Sequence, residues 1–439
     1  MSLVPPTTPT RRDLLSTAAG SAAFGLASPL ALGASGRNEV LRVGLVGCGG
    51  RGAGAAVNAL RADPNTELVA LGDAFEDQAN SRRNGLAQHP EVGSRVKVDD
   101  EHVFVGFDAY KKVIDACDVV LLATSPHFRP MHVAYAVEKG KHLFVEKPVA
   151  TDAPGVRSIM ASCELAEQKG LSVVSGLCYR YQFAKQETVR RIHEGAIGDI
   201  RTLQCTYNTG ELWHRGRKPE WSEMEYQMRN WLYFTWLSGD HIAEQHIHSL
   251  DKIAWVMDDV YPVKAVASGG RIKRTDPQYG DAYDHFNTAY HWENGVVGFS
   301  SCRQMSGTSS DVSDYVYGTE GVANIQAHRY KTDSGDSWRF RMPEEAKWKL
   351  RPGRENDDMY QNEHDALFWA IRSGEPINNG EYMCKSTMMA IMGRMSAYTG
   401  QAITWEAAWN STLDLSPPAY EWGDAPEPVV AIPGITKFV

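Results

Sequence analysis

Residues 40–60, VLRVGLVGCGGRGAGAAVNAL, join a β-branched run, a glycine turn and an alanine-rich stretch. Few folds use that order. A short apolar run ending at turn residues reads as a buried strand, and the alanine-rich sequence after it reads as a helix. Gly47, Gly49 and Gly52 give the spacing GxGxxG at the junction. The first glycine permits a tight turn, the second lets a pyrophosphate approach the backbone, and the third lets the helix lie close on the strand. Gly50 and Arg51 complete the turn, where free N–H groups and the helix dipole favour an anion.

The stretch TELVALGDAF (66–75) supplies a second strand ending in Asp73. A carboxylate at this separation takes ribose hydroxyls and repels a 2′-phosphate, so NAD is expected ahead of NADP, with Arg82 and Arg83 as the counterweight. DVVLLATSP (118–126), PMHVAYAVEKG (130–140) and KHLFVEKP (141–148) continue the alternation of strand and helix. That alternation indicates a Rossmann-type doubly wound parallel sheet, which binds ligands at the carboxyl ends of its strands. Gly47, Asp73, Thr124, Ser125 and Lys147 fall there, and Pro126, His127, His132 and Glu146 complete the expected cofactor-binding set.

After LSVVSGLCYRYQ (171–182) the pattern changes. Segments 199–207, 262–273, 283–292 and 295–303 alternate apolar and polar residues as half-buried strands do. Asn294-Gly295 is a hairpin signal, and YVYGTEGVANIQ (315–326) reads as strand, turn and strand. The fold class expected is therefore α/β: a Rossmann sheet followed by an α+β domain with a large, mostly antiparallel open sheet. The domains are placed at 37–168 and 169–439, with the C-terminal helices packing back on the first. Met388, Met389, Met392 and Met395 read as gap-filling core residues.

GxGxxG, ATSPHFRPMHVAYAVEKGKHLFVEKP and EGAIGDIR together resemble the Gfo/Idh/MocA family of NAD(P)-dependent sugar and cyclitol oxidoreductases, from about Val40 to Gly400. The resemblance implies that Lys147 of the EKP element lies between nicotinamide and substrate. It also implies a DxxxH pair, matched here by Glu244 and His248, in which the histidine accepts or donates the proton. Glutamate replaces the usual aspartate, and His246 stands where a glycine is common. Chemically, a histidine near neutral pKa takes a hydroxyl proton while an adjacent ammonium or carboxylate sets its tautomer and pKa.

That pair lies in SGDHIAEQHIHSLD (238–251), where Asp240, Glu244 and His248 follow at four-residue spacing with His241 and His246 between them. On a continuous helix this spacing stacks the three on one side. A solvated helix face or a buried, satisfied histidine would produce the same string. No metal is expected: HExxH is absent, and helical spacing divides these residues between two faces. Residues 207–236 hold eight aromatics, including Trp213, beside His214 and Arg215. They would serve a glycan pocket, an oligomer interface or a local core equally well. Arg180, Tyr181, Trp213 and His246 are the expected substrate contacts.

The net charge of −9 argues against nucleic-acid binding. No apolar run beyond the N-terminus approaches the roughly 20 residues that cross a bilayer. The 7 cysteines are scattered without a CxxC pair, which argues against a disulfide framework or a structural zinc. Residues 1–36, with paired Arg11 and Arg12 before a small-residue stretch, resemble a twin-arginine signal. This implies periplasmic export of a folded, cofactor-loaded protein. The expected function is an oxidoreductase working on a sugar, glycoside or cyclitol hydroxyl with a tightly bound cofactor, in a homodimer or homotetramer. A glycosidase or lyase using transient oxidation, and a non-catalytic sugar-binding protein retaining NAD, are the alternatives.

Overall fold

The computed structural model describes residues 39–342 and 357–439, so the expected export signal lies outside the described residues. Strands β1 (Leu41–Val46), β2 (Thr66–Asp73), β3 (Val103–Val105), β4 (Val119–Leu122), β5 (His142–Val145) and β6 (Val173–Ser175) form a sheet in the order β3-β2-β1-β4-β5-β6. Every pairing is parallel. All four residues of β4 are buried, as befits a strand covered on both faces. The covering helices are α1 (Gly50–Ala62), α2 (Glu76–Ala87), α3 (Ala109–Ala116), α4 (Arg129–Glu138) and α5 (Ala153–Gln168). The order reverses at β1 and β4, which opens a crevice at their carboxyl ends. Because β6 pairs with β5, the first sheet extends past the boundary expected at 168.

Helix α6 (Phe183–His193) leads into the second sheet. Its strands are β7 (Ile200–Thr209), β8 (Lys264–Gly270), β9 (His285–His291), β10 (Val297–Gln304), β11 (Asp311–Gly318), β12 (Gly321–Asn324), β13 (Arg329–Thr332), β14 (Ser337–Arg339) and β15 (Ile403–Thr404). They lie in the order β14-β13-β12-β11-β7-β10-β9-β8-β15. The β7–β10 pairing is parallel and the rest are antiparallel. Gly295, at φ +86°, turns the β9–β10 hairpin where Asn294-Gly295 predicts it. Phe299 and Val266 are exposed on the open face.

Between β7 and β8 run α7 (Glu223–Arg229), α8 (Thr235–Ser238), α9 (His241–Glu244) and α10 (Ile247–Val256). After β14 come α11 (Met359–Ser373) and α12 (Gly380–Thr399). Gln361 of α11 exchanges hydrogen bonds with Asn58 of α1, and Leu367, Phe368 and Ile371 join the core of the first domain. Met388, Met389, Met392 and Met395 are buried in α12. Among the described residues no helix is long and apolar enough to cross a membrane.

Gly393 seats α12 on the sheet, since a Cβ there would lie 2.2 Å from the Tyr290 hydroxyl. Glycine to alanine inside a helix ordinarily gains about 1 kcal/mol, whereas overpacking a core costs about 1–3 kcal/mol. Gly393→Ala is therefore expected to lower stability, which urea unfolding measures. A gain would show that this contact relaxes freely.

Candidate active site

The crevice of the first sheet is a cleft of about 410 Å³. Gly47, Gly49, Gly50, Arg51 and Gly52 line one end, with Asp73, Thr124, Ser125 and His132 along the walls. Its glycines have separate reasons. Gly47 has φ +96°, and a Cβ on Gly52 would sit 2.0 Å from the Gly47 carbonyl oxygen. Ideal Cβ atoms on Gly49 and Gly50 would meet nothing within 4 Å, so the head of α1 is an open cradle. That space, the helix N-terminus and a strand-terminal acid fit a dinucleotide. The Asp73 carboxylate accepts from the Cys48 N–H at 2.7 Å and the Phe75 N–H at 3.0 Å, which fixes it against the turn. Arg82 donates to the Cys48 carbonyl at 3.1 Å and Arg83 pairs with Asp100.

Of the expected cofactor contacts, Pro126, His127, Glu146 and Lys147 are not among the residues that line the cleft. The His127 ring bonds the Tyr420 hydroxyl at 2.9 Å and packs on Trp236, and burial lowers its pKa to about 4. It belongs to an aromatic cluster rather than to the cleft wall. Pro126 opens the same short turn and is buried. Buried Glu146 is ion-paired with Arg51, which also pairs with Glu363 of α11 at 2.7 Å. Arg51 thus lines the cleft while its charge is already answered. His132 stacks on Tyr110 at 4.2 Å, and burial lowers its pKa to about 3.

Lys147 follows β5, and its ammonium donates to the Glu244 main-chain carbonyl at 2.6 Å with the Glu244 carboxylate 3.6 Å away. The stretch 238–251 is not one helix. Gly239 and Asp240 both have positive φ between α8 and α9, and a wide turn at Gln245 and His246 separates α9 from α10, with the His246 N–H reaching the His241 carbonyl. Asp240 is fully buried and accepts from the Tyr283 N–H at 2.7 Å and the Tyr398 hydroxyl at 2.5 Å, so it serves the fold. Glu244 turns to Lys147, not to His248, and Glu244 Oε2 and His248 Nδ1 are buried without hydrogen-bond partners. Burial, then the Lys147 ammonium, holds His248 well below the usual histidine range. The imidazole is therefore neutral and able to accept a proton.

Three expected substrate contacts are structural instead. Arg180 donates to Asp251 at 2.8 Å and Asp259 at 2.6 Å, and the Tyr181 hydroxyl donates to Asn379 at 2.6 Å. His246 lies under the second sheet, with its Nε2 2.6 Å from the Ser300 hydroxyl. The single turn after β6 instead aims their neighbour Tyr179 at His248, edge to face with ring centres 5.1 Å apart. One residue of offset in a tight turn has no signature in composition. The aromatic segment divides its roles: Tyr226, Tyr233, Phe234 and Trp236 form a local core, while Trp213, Arg215 and Trp231 line the cleft. Among the described residues, no group of three His, Cys, Asp or Glu is placed to hold a metal.

Residues 41–177 match the family model described as an oxidoreductase family with an NAD-binding Rossmann fold, and residues 186–324 match the GFO/IDH/MocA C-terminal domain. The chain belongs to the Gfo/Idh/MocA family of oxidoreductases. It is 26% identical over 247 residues to glycosyl hydrolase family 109 protein 1 of Bacteroides fragilis, covering 54% of this chain and 49% of that protein. The chain thus spans about half the length of that relative. It is 25% identical over 296 residues to scyllo-inositol 2-dehydrogenase (NAD(+)) of Bacillus subtilis, covering 66% of this chain and 75% of that protein. The fold is similar to that of levoglucosan dehydrogenase in complex with NADH and levoglucosan, with a TM-score of 0.64 at 18% identity, covering 83% of this chain and 99% of the other.

Removing one partner of a buried ion pair costs about 3–5 kcal/mol. Arg180→Ala is expected near the lower end, because Asp259 is 39% exposed, and urea unfolding reads it. A substrate contact would instead raise KM at unchanged stability. Lys147→Met removes a cation that opposes protonation, so the His248 pKa is expected to rise. A ring titration followed by NMR checks the sign.

Proposed function

We propose that this chain is an oxidoreductase of the carbinol group of a sugar, glycoside or cyclitol, with NAD held in the crevice of the first sheet. The single observation that carries this reading is the meeting of Lys147, which directly follows the Glu146 paired with the cleft residue Arg51, with the Glu244–His248 stretch. When bound, the nicotinamide supplies the hydride acceptor. Gly49, Gly50 and Asp73 would hold the dinucleotide. The Lys147 ammonium orients the reacting hydroxyl, and the Glu244 carbonyl fixes that ammonium from the opposite domain. Neutral His248, the form burial and the nearby cations favour, takes the hydroxyl proton. NAD is favoured over NADP because Asp73 faces the cleft, while Arg83 is paired with Asp100 and Arg82 is held on the Cys48 carbonyl.

A second reading, glycoside cleavage or elimination through transient oxidation, is supported by the likeness to the glycosyl hydrolase family 109 protein and to 2,7-anhydro-N-acetylneuraminate hydratase of Escherichia coli. Incubation with aryl glycosides separates the two. Aglycone released with no added acceptor favours cleavage, whereas an oxidised sugar with matching nicotinamide absorbance favours the oxidoreductase. Lys147→Met and His248→Asn are each expected to lower kcat/KM by about 10²- to 10⁴-fold while NADH still binds. Wild-type turnover in either variant would end this assignment.

Arg11 and Arg12 support export by the twin-arginine route. Replacing both with lysine is expected to leave the protein in the cytoplasmic fraction.

A further inference from the structure

The cleft has walls that do not come from the nucleotide domain. Trp213, Arg215, Met228, Arg229 and Trp231 of the second domain line it together with Asp73, Phe75 and Phe107. Arg229 is the pivot. It bonds Asp77 of α2 at 3.0 and 3.2 Å and Glu225 at 2.8 Å, and its guanidinium lies 4.0 Å from the Phe75 ring centre. With two carboxylates on it, this cation is held in place across the boundary between the domains.

The C-terminal tail crosses the same place. Trp422 packs on Phe75 with ring centres 5.5 Å apart and on Phe107 at 4.8 Å, and both phenylalanines are cleft residues. Tyr420 ties the tail to His127 at 2.9 Å. The two outside segments are joined to each other, since the Met224 N–H donates to the Gly423 carbonyl at 3.0 Å and the Gln227 amide to the Pro426 carbonyl at 2.9 Å. They are thus bonded into one unit, fastened to the first domain through Arg229–Asp77 and through Trp422.

We propose that Arg229 and Trp422 form a two-part clasp over the Asp73 end of the cleft, which retains the adenosine half of the dinucleotide between turnovers. The proposal rests on the reading of this cleft as a dinucleotide site. A parallel sheet alone leaves its crevice open to water, whereas here an aromatic and ion-paired cover from two other parts of the chain closes one end. Release then requires the aromatic contacts and the Arg229–Asp77 bridge to part together.

The test is stopped-flow displacement of bound NADH by excess NAD, followed by nicotinamide fluorescence on the full chain. Trp422→Ala and Asp77→Asn are compared with the unaltered protein. Asp77 is 60% exposed and is not a cleft residue, so its substitution loosens the clasp without touching the cradle. Each variant is expected to release NADH about tenfold faster, the change that corresponds to roughly 1.4 kcal/mol. Release at the original rate in Asp77→Asn, and in Trp422→Ala where it folds, overturns the clasp. Failure of the unaltered protein to bind NADH would remove the dinucleotide reading and the clasp with it. Binding with rapid release in the unaltered protein would remove the clasp alone.

Discussion

The guanidinium of Arg51 lies between two buried carboxylates, Glu146 at the end of β5 and Glu363 on α11, and the site is assembled around it. Arg51 sits in the glycine turn, Glu146 immediately precedes Lys147, and Glu363 belongs to a helix of the C-terminal region. A lone buried charge costs several kcal/mol, so each of these groups requires the others. The shared cation lowers the Glu146 pKa, while burial outweighs its effect on Glu363, whose carboxyl is pushed well above the usual range. One cation thus holds the dinucleotide turn, the approach to Lys147 and α11 in register.

The second sheet brings the other half of the site to this anchored edge. Lys147 is held by the Glu244 carbonyl at 2.6 Å with the carboxylate of the same residue 3.6 Å away, and its ammonium still bears on His248. Tyr179 supports the imidazole from the side, and Lys185 and Lys252 each place an ammonium 4.4 Å from that tyrosine ring. Burial and a ring of cations work in the same direction here. They keep a histidine neutral that would be partly protonated in water.

Much of the fold was legible because local rules and tertiary structure agree along it. Gly47 needs positive φ and Gly52 has no room for a Cβ, so the turn announces itself. Asn294-Gly295 marks its hairpin for the same conformational reason. In the candidate site Lys147 stood out because its motif, Glu146-Lys147-Pro148, is contiguous. It was less so at Arg180, Tyr181, His127 and His246, which are polar residues in suggestive places whose partners are far along the chain. Asp251, Asn379, Tyr420 and Ser300 claim them. Helical spacing also misled at Asp240, because Gly239 and Asp240 leave the helical region and break the face.

By itself the amino-acid order determined the parallel sheet, the second, mostly antiparallel sheet and the dinucleotide turn, since these depend on backbone conformation and periodicity within short windows, while Lys147 and His248 were singled out by the family resemblance. Tertiary structure alone decided which polar side chains were consumed by the fold, that Glu244 would serve Lys147, that Arg229 would line the cleft and that Trp422 would pack on Phe75 and Phe107. Those outcomes turn on ion pairs and ring contacts between residues widely separated in the chain, whose meeting depends on how the sheets and the C-terminal tail pack.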